Sequence, residues 1–401
     1  MRCLECGAET AEAGPFCDRC GAPTGMPAAD PVPAGGRRPR IIAVAAVVAV
    51  ACLVTAISII SGRPGTSSRP RASATPTAGV RWTYDTGYYD TRPAVAGGTV
   101  YVGDETGTVR ALDAATGNLR WTYTTADSAY STPEPVDSGP AVAGGTVYIG
   151  SFAGTVYALD AATGRVRWTY TTASAVGFGP AVAGGTVYTG SDNGTVYALD
   201  AATGRLRWAY TAGGLVTSSP AVAGGTVYFG SDDGTVYALD AATGRLRWRY
   251  PTEDAVGYSP AVAGGTVYVS GDGQVYALDA ATGRLRWTQT TGDAAESSPA
   301  VAGGTVYVSG HEGKVYALDA DTGSVRWAYT TRSYVDSSPA VADGTVYIGS
   351  DDGTVDALDA ATGRLRWAYT TGHAVGSSPE VAGGTVYIGS DDGTVDALRA
   401  P

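Results

Sequence analysis

Ser219-Pro220-Ala221-Val222-Ala223-Gly224-Gly225-Thr226-Val227-Tyr228-Phe229-Gly230-Ser231-Asp232-Asp233-Gly234-Thr235-Val236-Tyr237-Ala238-Leu239-Asp240 is a run of short apolar alternations, broken at intervals by glycine and aspartate. Alternation with period two marks half-buried strands, and nothing here keeps the 3.6-residue period of a helix. Gly224-Gly225 fits a type I′ hairpin, whose two central positions both need φ above zero; the copy reading Asp343-Gly344 meets the same demand. Asp232-Asp233-Gly234 makes a second turn, and Ala242-Thr243-Gly244 a third that leads into Leu246-Arg247-Trp248. One copy therefore predicts a meander of four short antiparallel strands.

The copy recurs along most of the chain. Tryptophans stand at 82, 121, 168, 208, 248, 287, 327 and 367, spaced by 39, 47, 40, 40, 39, 40 and 40 residues, and these are all eight in the protein. A lone four-stranded sheet cannot bury both its faces, whereas eight arranged radially each pack on the next. Residues 80–401 are thus predicted to be all-β, an eight-bladed β-propeller of four-stranded antiparallel blades. The last copy stops at Ala397-Leu398-Arg399-Ala400-Pro401 without an outer strand, and the first is preceded by Val80-Arg81-Trp82. The N-terminal strand is expected to complete the last blade. Arg399 replaces the motif's Asp there, so hydrogen bonding at that seam should differ.

The pattern A-x-D-x-x-T-G-x-x-x-W runs through Ala111, Asp113, Thr116, Gly117 and Trp121, and starts again at Ala158, Ala198, Ala238, Ala277, Ala317 and Ala357. It resembles the tryptophan-docking motif of the pyrroloquinoline-quinone (PQQ) propeller family, which includes quinoprotein dehydrogenases and non-catalytic BamB-type assembly proteins. The resemblance covers nearly all of residues 80–401. It implies that Trp82, Trp121, Trp168, Trp208, Trp248, Trp287, Trp327 and Trp367 are structural, each packed between adjacent blades. It also implies that a dehydrogenase of this family would need a carboxylate base and Ca²⁺ ligands around its quinone. The propeller has no cysteine and two histidines, His311 and His373, and its aspartates repeat at turns where backbone geometry already favours them. PQQ and catalysis are not expected, and no residue is assigned a catalytic role.

Ahead of the repeats lie three further zones. Cys3-x2-Cys6 and Cys17-x2-Cys20, each pair followed by glycine, have the spacing of two zinc knuckles, so residues 1–22 are expected to form a zinc ribbon on four thiolates. Two disulfides would use the same sulfurs, but the knuckle spacing favours Zn²⁺. Residues 23–40 are a Pro/Ala/Gly linker ending in Arg37, Arg38 and Arg40. Ile41 to Ile60 contains no charge and would be about 30 Å long as a helix, enough to cross a bilayer, so 41–61 is expected to be a transmembrane helix. Cys52 lies inside it, and with Ala49 three residues before it the lipobox is poor. Residues 62–79 are a Ser/Thr/Pro/Arg tether. Arginines flank the apolar stretch on both sides, at 37, 38 and 40 and at 63, 69 and 71, so charge bias decides little. A thiolate zinc site suits the reducing cytoplasm, which gives a single-pass cell-membrane protein with its N-terminus cytoplasmic and its propeller outside.

The formal charge of -11 is unevenly placed: eight Arg against five acids in residues 1–79 leave +3 there and -14 beyond. So acidic a ring does not suit nucleic acid. Of 27 basic residues only Lys314 is lysine, a composition read as that of a GC-rich bacterial genome.

Blade geometry places the turn between strands two and three, and the links between blades, on one face. That is where the copies differ: Tyr88, Tyr89 and Asp90; Tyr130; Phe178; Val216; Tyr258; Glu296; Tyr334 and Asp336; His373. The longest link, Ala126 to Ser138, is expected to be a specific contact segment. These observations predict a membrane-anchored, extracytoplasmic scaffold that binds a protein, envelope polymer or small ligand on this face. A PQQ-dependent dehydrogenase and a BamB-like envelope assembly factor are the alternatives, and oligomeric state is left open.

Overall fold

The structure, a computed structural model, describes residues 79–399 apart from 88–91, 126–134, 137, 253, 272 and 293–295. The expected zinc ribbon, linker, transmembrane helix and tether lie outside the described residues, except for Gly79.

The described chain is thirty-two strands in eight four-stranded antiparallel sheets. In the fourth blade the inner strand Ala221–Ala223 pairs with Thr226–Ser231, that with Thr235–Asp240, and that with the outer strand Leu246–Pro251. Each inner strand touches the inner strands of its two neighbours, so these eight strands surround the axis. The hairpin between inner and second strands has positive φ at both positions: 56° and 71° at Gly224 and Gly225, and 48° and 69° at Asp343 and Gly344. Asp343 is the one described non-glycine residue with positive φ, as a type I′ turn requires.

The ring closes as expected. Gly79–Asp85 pairs antiparallel with Thr394–Arg399 and becomes the outer strand of the eighth blade.

Between third and outer strands each blade has a bulge at the arginine before the tryptophan: Ala238 faces Trp248 and Leu239 faces Leu246, leaving Arg247 as the extra residue. A bulge re-aims a side chain. Arg247 reaches Thr226 Oγ1 at 2.6 Å and Asp240 Oδ2 at 2.7 Å, while Asp240 Oδ1 accepts from the amides of Ala242 and Thr243 and from the Thr243 hydroxyl. This staple recurs in seven blades. At the seam Arg81 is the bulged residue, and Arg399 stands where the aspartate would be. No staple forms there among the described residues.

Between blades the tryptophans occupy the place the resemblance implied. Trp208 Nε1 donates to Ala241 O of the next blade at 3.0 Å, the Tyr188 hydroxyl donates to the same carbonyl, and the two rings lie 5.8 Å apart. A Cβ on Gly244, at φ +70°, would come within 2.7 Å of the Trp208 ring. The glycine is therefore required twice, by its backbone and by the ring above it. Seven of the tryptophans are buried, and Trp327 is half-buried. Each ring removes about 150–250 Å² from water.

A candidate binding face with an acidic rim

Inner strands run from the blade links toward the Gly-Gly turns, so links and second turns share one face and the remaining turns share the other. The two faces differ in charge. Between strands, the described residues of the first face carry thirteen carboxylates against Arg92 and Arg332, a net of -11. On the opposite face Arg165, Arg205, Arg245, Arg284 and Arg364 stand against Asp321 and Asp343, a net of +3.

On the acidic face three of the expected residues come together around one that was not expected to contribute. His311, at the second turn of the sixth blade, places Nδ1 2.7 Å from Glu296 Oε2 and 3.3 Å from Asp336 Oδ1. Its ring lies 5.6 Å from that of Tyr334, which is 57% exposed. Glu296 and Asp336 lie in different blade links, and the histidine bridges them. This gives a cluster of two carboxylates, an imidazole and a half-exposed phenol, all open to solvent. A cation or a basic side chain could be held there by charge and by the aromatic face.

The other expected residues are dispersed. Phe178 and Tyr258 are half-buried in the position that is a buried serine in neighbouring copies, where Ser218 Oγ bonds both the carbonyl and the amide of Gly230. His373 is exposed, and its carbonyl accepts from the Thr371 and Ser390 hydroxyls. Tyr88, Tyr89, Asp90 and Tyr130 lie outside the described residues. Val216 is not a surface residue: it is fully buried, with its Cγ1 2.5 Å from where a Cβ on Gly190 would be. Val176, Val256, Val335 and Val375 are buried at the same position. The long link has the same dual character, since Val136 is buried and Ser138 Oγ bonds the amide and carbonyl of Gly150. Its last residues belong to the core.

Further carboxylates on this face are perturbed by one another. Burial and the neighbouring carboxylates Asp336 and Asp391 push the Asp351 carboxyl above its usual range. Asp391 is raised by burial against the opposing effect of His373, with Asp336 and Asp392 adding to the rise. Asp192 is raised by burial and by Asp232. Each would be relieved by a cation.

Two features missed in the sequence complete the face. Ser219 N donates to Ser259 Oγ, Ser259 N to Ser298 Oγ, Ser298 N to Ser338 Oγ and Ser338 N to Ser378 Oγ, a hydrogen-bonded arc around the axis. The other three copies read Arg92, Gly139 and Gly179 at this position, and a Cβ on Gly179 would meet Gly139 O at 2.8 Å. Near the seam, Asp356 and Asp396 replace the tyrosine of Thr-Val-Tyr-Ala-Leu and accept from the hydroxyls of Tyr329 and Tyr369 at 3.0 and 3.2 Å. Both changes were visible as breaks in the repeat.

A quinone such as PQQ is a tricarboxylate. Among the described residues the axis offers it one arginine, Arg92, already 3.4 Å from Glu380, inside a rim of carboxylates. Among the described residues no three Asp, Glu, His or Cys side chains are placed to share a metal ion. These residues do not fit an anionic quinone. A cavity of about 400 Å³ on the opposite face, beside Ala96, Thr99 and Val142, has Arg120 as its charged group, and that guanidinium is bound to Asp113.

Comparison with solved structures gives the same architecture. BamB from Moraxella catarrhalis superposes with a TM-score of 0.68 at 22% identity over 81% of this chain and all of that one. A computationally designed protein, Ika8, gives 0.71 at 22% identity, covering 79% of this chain and 98% of that one. Quinohemoprotein alcohol dehydrogenase from Comamonas testosteroni gives 0.66 at 18% identity, covering 80% and 76%. At such identities the likeness is one of fold. No curated protein matches the chain in sequence. The family described as outer membrane protein assembly factor BamB matches at residues 66–177, 128–213, 153–257, 232–335 and 312–400. Those overlapping matches run from residue 66 to residue 400, and the chain belongs to that family.

Proposed function

We propose that this chain is a non-catalytic binding propeller, anchored in the cell membrane through residues 41–61, that captures a basic protein segment outside the membrane on its acidic face. The observation that carries the proposal is the Glu296–His311–Asp336–Tyr334 cluster, set in a face of net charge -11 on the described residues. Membership of an assembly-factor family agrees with a polypeptide partner. The site takes lysine or arginine side chains: two carboxylates supply charge, Tyr334 supplies an aromatic face, and the raised carboxyls of Asp351 and Asp391 gain from a nearby cation.

The test is site-specific crosslinking in native membranes. A photo-reactive amino acid at Tyr334 should trap a discrete protein, the same residue at Ala115 on the other face should not, and Glu296→Lys with Asp336→Lys should abolish the product. An adduct at position 334 that survives both charge reversals would refute a basic partner. At the other end of the chain, Cys3, Cys6, Cys17 and Cys20 hold one Zn²⁺ on the cytoplasmic side. Purified protein should contain one equivalent of zinc, and Cys3→Ser with Cys6→Ser should lose it.

A further inference from the structure

The face opposite the acidic one has a pattern that neither the binding reading nor the fold requires. Beside five of the seven stapled arginines the chain reads Gly-Arg-Leu-Arg-Trp, in four blades, or Gly-Arg-Val-Arg-Trp, in one. The first arginine of each, at 165, 205, 245, 284 and 364, is exposed and forms no ion pair or side-chain hydrogen bond among the described residues. Arg81 and Arg399 at the seam are exposed and likewise have no carboxylate partner. Next to them, at the start of the outer strands, Val80, Leu119, Val166, Leu206, Leu246, Leu285 and Val325 are 43–47% exposed. Aliphatic side chains so exposed would ordinarily be replaced by polar ones at no cost to the blade, since the buried partner of this segment is the tryptophan two residues on. A rim of alternating arginine and leucine suits a boundary that is anionic outside and apolar just beneath.

The chain begins its first strand on this same face. Gly79 pairs with Arg399 at the end of a third strand, where third strands reach the arginine turns. Gly79, the first described residue, therefore lies at the arginine–leucine rim and not at the acidic face. We infer that this rim docks on an anionic phospholipid bilayer, with arginines at the headgroups and Leu/Val side chains at the acyl boundary, so that the acidic face points away from the membrane. The charge of the rim stands by itself, while the direction in which it faces rests on the membrane anchor of the proposed function. A soluble polyanion would be served by the arginines but has no use for the aliphatic ring.

The experiment uses the full-length protein in nanodiscs of phosphatidylcholine with and without phosphatidylglycerol. An environment-sensitive fluorescent amino acid replaces Leu206, or Asp232 on the acidic face as control. With phosphatidylglycerol, emission at position 206 should shift to the blue and be quenched by lipids carrying a quencher on the acyl chain. Position 232 should be unaffected. Arg165→Glu, Arg205→Glu and Arg245→Glu together should cut the quenching about tenfold, as high salt should. Circular dichroism of this variant checks the fold, which these unpaired side chains do not hold. An unquenched probe at 206 in protein that resists alkaline extraction overturns the docking while leaving the anchor intact. If instead the chain is extracted by alkali, the anchor fails, and binding of the detergent-free protein to phosphatidylglycerol vesicles still decides the docking. Equal protection of position 206 by soluble polyphosphate overturns the lipid assignment.

Discussion

The two faces of this ring are made by the same eight meanders, yet one is nearly identical from blade to blade and the other is not. On the repeated face each turn is over-determined. Gly204 sits at φ +71° under Trp168, Asp200 accepts three hydrogen bonds through one oxygen and a guanidinium through the other, and Arg207 ties two strands together. On the varied face a buried valine and a buried serine recur in most links, and the second turns are held by their own backbones with an Asp or Asn side chain in several blades, so the remaining positions are free to differ. Repetition here records structural demand, and variation records its absence, which is where a partner can be accommodated.

The largest test of that contrast compares two glycines. Gly204→Ala would force an L side chain into positive φ and drive its Cβ to 2.7 Å from the Trp168 ring. It should cost about 3–5 kcal/mol, seen as a lower urea midpoint, since both strain and overpacking act. Gly177→Ala on the varied face meets nothing closer than Phe152 at 3.8 Å and should stay within about 0.5 kcal/mol. Similar costs for the two would mean that the repeated face owes its uniformity to something other than packing.

How far the sequence foretold this depends on the kind of interaction. The strands, the type I′ turns, the seam through Val80-Arg81-Trp82 and the tryptophan packing follow from local pattern, because each is repeated and each uses a residue type with one dominant backbone or packing role. The acidic cluster was only partly legible. Glu296, Tyr334 and Asp336 stood out as departures from the repeat, but His311 lies in a different turn, and only blade geometry brings it between them. Val216 departs from expectation for the opposite reason: the surrounding link varies, but the constant valine at its centre packs against Gly190. Asp356 and Asp396 were equally readable as breaks in Thr-Val-Tyr-Ala-Leu, but their tyrosine partners sit in the preceding blade, 27 residues away in each case.

A pH titration separates the faces by sign. On the repeated face the arginine hydrogen bond, aided by the threonine, holds Asp113, Asp160, Asp200, Asp240, Asp279, Asp319 and Asp359 at about 2, below the ordinary aspartate range. A depressed folded-state carboxylate contributes stability above its unfolded pKa and loses it as pH falls through the folded one. The urea midpoint should therefore drop between pH 4 and pH 2, with Asp200→Asn showing a shallower fall than the parent protein. These pairs are exposed, so each is modest and salt should weaken the effect. A midpoint independent of pH in that window would show the staples to be bystanders.

The smallest expected effect on stability is on the acidic face, and it has the opposite sign. Asp351 and Asp391 are raised by burial and by neighbouring carboxylates, so their contribution favours the folded state at low pH and is lost as pH rises through the raised values. Replacing both by Asn removes the repulsion. The variant should gain a few tenths of a kcal/mol at neutral pH, with the gain disappearing below pH 4, and solvent screening keeps it that small. The same variant should bind a basic peptide more weakly at neutral pH. Parent protein should lose its capture as these groups protonate, at a higher pH than that at which the motif aspartates across the ring protonate. A face that gains stability and loses binding through the same two substitutions holds its charge for a ligand and not for the fold. If Asp351→Asn with Asp391→Asn instead lowered stability, the carboxylates would belong to the architecture, and the distinction between the two faces would fail at its most sensitive point.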